Sequence, residues 1–200
     1  RIKGMRWWVN TDIKVEGELP SKDKVVIYAI KHQSAWETVF CTDLFAMPSI
    51  ILKKVLIFLP VIGLYFLRSG AIPITRDQGI NALKKMGRDA KIAVKKNRSM
   101  MIFPQGTRVS PGVSSEEKPY LPGVYFLYSQ TKVPVIPVAH NAGLIWPKNS
   151  FIKYPERLSS KSVTLKILPE IPPGLLKQEF LSKLEAEIEN ASNELIEKEK

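Results

Sequence analysis

The chain has 200 residues, enough for one domain with a sizeable core, and its 44% hydrophobic content is that of a globular protein rather than a disordered one. Thirty basic against nineteen acidic residues give a net charge of +11 and a pI near 9.7, so the surface calls for an anionic partner: nucleic acid, an anionic membrane or a phosphorylated ligand. One cysteine excludes an internal disulfide framework, and that cysteine with two widely spread histidines matches no zinc spacing, so no metal site is expected.

Residues 1–24 are polar and mixed, apart from Trp7-Trp8. Adjacent tryptophans beside Arg1, Lys3 and Arg6 suit either a membrane interface or packing onto the domain. Val25–Ile30 is an apolar, β-rich run bounded by lysines and reads as a buried strand. Ser34 to about Met47 predicts a helix stopped by Pro48. In the hydrophobic stretch from Ile50 to Leu67, Pro60 and Gly63 predict two short helices. Its uncharged part, Val55–Leu67, is thirteen residues, whereas a membrane span needs roughly 20, so it suits a buried or interfacial segment. Ala71–Ile74 is a short extended piece. From Asp77 to Lys96 the helical period is clear: Ile80, Leu83, Gly87, Ala90 and Val94 share a face, with Lys84, Arg88, Lys91 and Lys95 as a basic stripe beside it. Ser99–Phe103 is a second strand, and residues 104–122 form a long Pro/Gly/Ser-rich loop of the kind that carries function. A short helix over Val124–Gln130, strands over Val133–His140 and Val163–Leu168, and an amphipathic helix from Leu175 to about Lys198 complete the chain. Strands alternating with helices predict a single α/β domain over 1–200, with a mostly parallel central sheet flanked by helices.

The chemistry concentrates where the first strand ends, at Lys31-His32-Gln33-Ser34-Ala35-Trp36-Glu37. The carboxyl edge of a sheet is where α/β proteins gather their sites, and an imidazole can take up a proton near neutral pH. His32 therefore reads as a general base and Glu37 as the group that orients it. Glu37 has a competing reading, because Ser34-x-x-Glu37 is a capping box whose carboxylate returns to the Ser34 backbone N–H. On one continuous helix the two side chains would point about 140° apart. The pair requires His32 before the helix and Glu37 in its first turn, which a strand–turn–helix supplies. Cys41, one turn beyond Glu37, is either a nucleophile paired with His32 or a small buried hydrophobe. His140 ends another strand with no carboxylate near it in sequence and reads as structural or supporting. Phe103-Pro104-Gln105-Gly106-Thr107-Arg108 delivers a glycine turn with a hydroxyl and a guanidinium, and Arg76 precedes a helix N-terminus. Both are anion-site patterns, with a surface arginine or an Asp77 ion pair as the alternative for Arg76. No Walker loop and no dinucleotide fingerprint occurs.

Taken in order, His32-x4-Glu37, Gly70 to Arg76, Phe103 to Arg108 and Val133-Pro134-Val135-Ile136-Pro137 resemble the sequence blocks of the membrane-associated glycerolipid acyltransferases. The likeness is strongest to bacterial 1-acyl-glycerol-3-phosphate (lysophosphatidate) acyltransferases, and covers nearly the whole chain. Tracts such as His140-Asn141-Ala142-Gly143-Leu144-Ile145-Trp146-Pro147 resemble the bacterial branch. The resemblance implies transfer of an acyl chain from acyl-coenzyme A or acyl-carrier protein to the sn-2 hydroxyl of 1-acyl-glycerol-3-phosphate, giving phosphatidate. His32 and Glu37 are then catalytic, Arg76 binds phosphate, and Gln105, Gly106, Thr107 and Arg108 serve substrate placement. No cofactor is implied beyond the acyl thioester co-substrate. It further implies an apolar membrane-facing helical region, an anionic membrane surface as partner, an N-terminal anchor upstream of Arg1, and a place on the cytoplasmic face of the inner membrane. The basic stripe beginning at Lys84 then either faces anionic headgroups or is a solvated helix face.

Three positions depart from the family pattern. Glu37 replaces its usual aspartate, Gln105 its usual glutamate, and Leu121-Pro122 stand where a lysine often precedes the glycine at Gly123. A lyso-ornithine lipid or other lysophospholipid acceptor, or hydrolysis as in a thioesterase or lysophospholipase, are the competing reactions. Nucleic-acid recognition motifs are absent.

Overall fold

A computed structural model describes residues 12–150, 152, 154, 157, 159 and 162–199, with the backbone alone at Ile62 and Arg76; Trp7-Trp8 lies outside them. Its centre is β2 (Ile27–Ile30), whose four residues are all buried. On either side lie β5 (Met100–Ile102) and β6 (Val135–His140), both parallel to it. Parallel strands are covered on both faces and therefore read as continuous apolar runs. That is why these strands are legible in the sequence.

Among the described residues the sheet has seven strands, in the order β1-β7-β6-β2-β5-β3-β4. β3 (Ser49–Lys53) and β4 (Ile72–Ile74) extend the parallel side. At the other side β7 (Ser162–Ile167) runs antiparallel to β6 and pairs in parallel with β1 (Asp12–Glu16). The period-two alternation of the strands divides the core. Tyr28, Ile30, Ile50 and Met101 face one side, where Trp36, Phe40 and Cys41 of α1 (Trp36–Leu44) and Phe66 of α2 (Ile62–Arg68) pack. Ile27, Ala29, Ile51 and Met100 face the other. There they meet Met86 and Ala90 of α3 (Gly79–Lys95), Leu127 of α4 (Gly123–Thr131), and Phe180, Leu184 and Ile188 of α5 (Lys177–Glu197).

Two strands escape the sequence reading. The first residues of the stretch predicted as two helices form β3 instead, before a 3-10 turn (Lys54–Phe58) and α2 supply the two short helical pieces. Periodicity cannot separate a short apolar strand from a buried helical segment. The slot between β5 and β4 decides the matter. β1 has charged residues at Asp12, Lys14 and Glu16, and only its pairing along β7 makes it a strand. The first helix starts at Trp36 rather than Ser34, and stops at Leu44 because Ala46 and Met47 take positive φ before Pro48.

The parallel strands bring Lys31-His32, Phe103–Arg108 and Lys53 to one edge of the sheet. Among the described residues no helix is long and apolar enough to cross a membrane.

Candidate active site

The turn after β2 is organised by one carboxylate. Glu37 is completely buried. Its Oε1 accepts the backbone N–H groups of Gln33 and Ser34, each at 2.8 Å, and lies 2.7 Å from His32 Nδ1. Its Oε2 accepts the Ser34 hydroxyl at 2.7 Å, and Ser34 Oγ in turn accepts the Trp36 N–H at 3.0 Å. The capping contact and the imidazole contact are therefore made by the same group at once. Burial by itself would raise the Glu37 pKa. The nearby imidazoles and the hydrogen bonds from His32 and Ser34 outweigh it and hold the carboxyl at about 2. An ionised carboxylate at Nδ1 makes that nitrogen the proton donor and leaves Nε2 as the basic nitrogen. The Phe103 ring stacks on the imidazole, centroids 3.9 Å apart, and limits its rotation.

His140 supports this turn without joining the pair. Its Nε2 donates to the Lys31 carbonyl at 2.7 Å, its Nδ1 accepts the Ala142 N–H at 3.2 Å, and 4.0 Å separates it from Glu37 Oε2. Burial pushes its pKa down, so it stays neutral near neutral pH, and there the donors on Glu37 do the holding. Cys41 is fully buried in the core beneath α1, and burial pushes its thiol pKa well up. An unreactive protonated thiol is the outcome.

His32 opens onto a cavity of about 690 Å³, a size typical of ligand sites. β3 contributes Ile50, Ile51 and Leu52, α2 Phe66, α3 Ile80, Leu83 and Met86, and α4 Val124, giving apolar walls. Its cationic lining residues are Lys53, Arg108 and Lys148, and none of the described lining residues is an Asp or Glu. No salt bridge engages the three cations among the described residues.

The predicted site residues divide. His32, Gly106, Thr107 and Arg108 all line this cavity. Gly106 has φ +64°, a conformation that favours glycine, and closes a turn through its N–H to the Phe103 carbonyl at 2.9 Å. The Val109 N–H binds the His32 carbonyl at 2.7 Å and ties this loop to the turn after β2. Gln105 faces elsewhere: it is buried and donates to the Lys118 carbonyl at 2.8 Å, bracing the loop rather than lining the cavity. Arg76 begins a short 3-10 turn between the lining residues Ile74 and Gly79, and its side chain lies outside the described residues.

Lys148 is the residue that motif reading missed. It sits in the segment after β6, held beside the turn by the Gly143 N–H to Gln33 Oε1 at 3.1 Å. A Cβ at Gly143 would lie 2.7 Å from Gln33 Cβ, so only glycine allows this approach. Nothing around Lys148 signals its role in one dimension, because its neighbours in the site come from other elements.

Residues 12–141 match the family model described as Acyltransferase, and the chain belongs to that family. It is 36% identical over 154 residues to the 1-acyl-sn-glycerol-3-phosphate acyltransferase of Pseudomonas aeruginosa, covering 77% of this chain and 56% of that protein. It is 28% identical to the enzyme of the same name from Limnanthes douglasii, over 85% of this chain and 58% of that one. The chain thus spans little more than half the length of these curated relatives. Its fold superposes on the crystal structure of the 1-acyl-sn-glycerophosphate acyltransferase PlsC from Thermotoga maritima with a TM-score of 0.76 and 25% identity, covering 97% of this chain and 76% of that one.

Proposed function

We propose that the protein transfers an acyl chain from an acyl thioester, acyl-coenzyme A or acyl-carrier protein, to the sn-2 hydroxyl of 1-acyl-glycerol-3-phosphate, forming phosphatidate. The observation that carries this reading is the composition of one cavity: an imidazole tied to a buried carboxylate, long apolar walls, and, among the described residues, three lining cations with no salt-bridge partner and no lining acid. Such a cavity suits a phosphate-bearing amphiphile with an ester-forming hydroxyl.

In this reading His32 Nε2 takes the proton of the acceptor hydroxyl as the oxygen attacks the thioester carbonyl. The C–S bond breaks, and the departing sulfur receives the proton from the imidazolium, so no acyl-enzyme forms. Glu37 stabilises the transient imidazolium. A positioned base of this kind typically supplies 10²–10⁴-fold. Arg76, Arg108 and Lys148 hold the acceptor phosphate, the turn at Gly106 and Thr107 orients the acceptor, and the apolar walls take acyl chain. No cofactor takes part. The reaction is placed at the cytoplasmic face of the inner membrane, where the lysolipid resides.

The test is thiol release from acyl-coenzyme A with and without 1-acyl-glycerol-3-phosphate, alongside lyso-ornithine lipid and lysophosphatidylcholine. Release that depends on the phosphomonoester acceptor and yields phosphatidate is expected. Equal release without any acceptor would make the protein a thioesterase and overturn the proposal.

A further inference from the structure

Two segments that line the cavity are held from outside it by one carboxylate. Lys31 immediately precedes His32, and Tyr120 immediately precedes the lining residues Leu121 and Pro122. Neither Lys31 nor Tyr120 lines the cavity; both reach to Glu189 of α5. The Lys31 ammonium donates to both Glu189 oxygens, at 2.6 and 2.8 Å, and the Tyr120 hydroxyl donates to Oε1 at 2.8 Å. Lys31 is 3% exposed, Tyr120 8% and the Glu189 side chain 14%. Burial and the adjacent Glu189 carboxylate push the Tyr120 pKa well up, so the hydroxyl keeps the proton it donates.

Each member has a firm seat. Glu189 follows Ile188, which is fully buried with Leu184 in the core. The Lys31 N–H donates to the Val138 carbonyl at 3.0 Å, and the Lys31 carbonyl accepts His140 Nε2 at 2.7 Å. The residue before the base is thus held by strand, imidazole and ion pair together. Across the cavity the Leu121 N–H donates to the Pro104 carbonyl at 2.9 Å and closes the 104–122 loop at its base. One part of that loop meets the turn after β2 through Val109 and the His32 carbonyl. Its far end, at Tyr120, is tied to the same turn through Glu189. A buried ion pair is a weak source of stability, because taking both ions out of water costs about what their attraction returns. What three charge-assisted bonds to one carboxylate add is direction. We propose that Glu189 is a positioning residue for acyl transfer: by holding Lys31 and Tyr120 together it sets the spacing between His32 and the Leu121–Pro122 wall, and so where the acceptor hydroxyl and the thioester carbonyl meet His32 Nε2. This role rests on the acyltransferase reading. Glu189 itself lies outside the cavity lining and acts through its two partners.

The experiment compares wild type with Lys31→Met/Glu189→Met and with Tyr120→Phe. It measures phosphatidate formation from acyl-coenzyme A and 1-acyl-glycerol-3-phosphate, beside urea unfolding. The double variant removes both ions together, so its urea midpoint should stay near wild type. Its kcat should fall on the order of 10²-fold, the cost of misplacing reacting groups by about 1 Å. Both KM values should stay within about twofold, because the walls that bind substrate remain. Tyr120→Phe keeps the ion pair and releases one hydrogen bond, so kcat should fall about fivefold. A double variant with wild-type midpoint and wild-type kcat overturns the positioning role, and so does a loss confined to either KM. If the double variant is destabilised, Tyr120→Phe decides: a wild-type kcat there overturns the role, and a lower kcat at constant KM supports it. Thiol release by wild type without any acceptor refutes the transfer reading, and kcat for that release then tests the same spacing. Phosphatidate formed equally by wild type and both variants refutes only the role of Glu189.

Discussion

Glu37→Gln is the most searching perturbation of the His32–Glu37 turn. Glutamine keeps an oxygen that can accept the Gln33 and Ser34 N–H groups and the His32 Nδ1–H, but it carries no charge. Wild-type Glu37 titrates near 2 when folded against a reference of 4.5. At about 1.4 kcal/mol per unit, the folded network favours the carboxylate by about 3 kcal/mol. Because the folded pKa is depressed, this stability is complete above pH 4.5 and is lost as pH falls through about 2. His140, whose pKa is lowered by burial, adds an earlier loss: the unfolded imidazole takes up a proton below its reference of 6.5 while the folded one resists. Removing the Glu37 charge also removes what raises the His140 pKa, so the variant should lose more stability than wild type between pH 6.5 and 4.5, and should lack the carboxylate's own loss below 4.5. Urea midpoints measured across that range read it directly. Turnover at neutral pH should drop on the order of 10²-fold, with the acceptor KM nearly unchanged, since imidazolium stabilisation is felt only in the transition state. A Glu37→Gln curve parallel to wild type below pH 4.5 would refute the claim that a buried, ionised Glu37 holds this turn.

Other perturbations probe separate parts. His32→Ala should remove transfer while circular dichroism and the urea midpoint stay near wild type; near-normal turnover would dismiss His32 as the base. Cys41→Ser should leave transfer largely intact, and mass spectrometry that trapped an acyl-cysteine would sink direct transfer. Lys148→Ala and Arg76→Ala should each raise the acceptor KM on the order of tenfold, the value of a charge-assisted hydrogen bond, with the donor KM little changed. Lys31, 3% exposed, is held by Glu189 at 2.6 and 2.8 Å, and the Tyr120 hydroxyl donates to the same carboxylate at 2.8 Å. Glu189→Ala would strand a buried ammonium and should cost about 3–5 kcal/mol in urea unfolding, against about 1 kcal/mol for Tyr120→Phe.

The sequence by itself determined the parallel centre of the sheet, because strands buried on both faces must be continuously apolar. It also determined the pairing in the turn after β2, because His32 and Glu37 are close enough in the chain for a strand–turn–helix to join them. It made the capping box and the imidazole contact look like rival uses of Glu37. The structure shows one carboxylate oxygen, Oε1, serving both, while Oε2 takes the Ser34 hydroxyl, a matter of where lone pairs point, which no pattern encodes. What only the tertiary structure decided was everything assembled from distant segments. β3 became a strand because a neighbouring strand pair left it a slot, and β1 because β7 offered an edge. Gln105, adjacent to cavity residues in the motif, turned to Lys118, while Lys148 reached the cavity from beyond β6. Lys31 found Glu189 across the domain. The physical reason is the same in each case. Local sequence sets backbone preference and apolar period, but a contact between residues remote in sequence is decided by packing, burial and the pairing of charge, which exist only once the chain has folded.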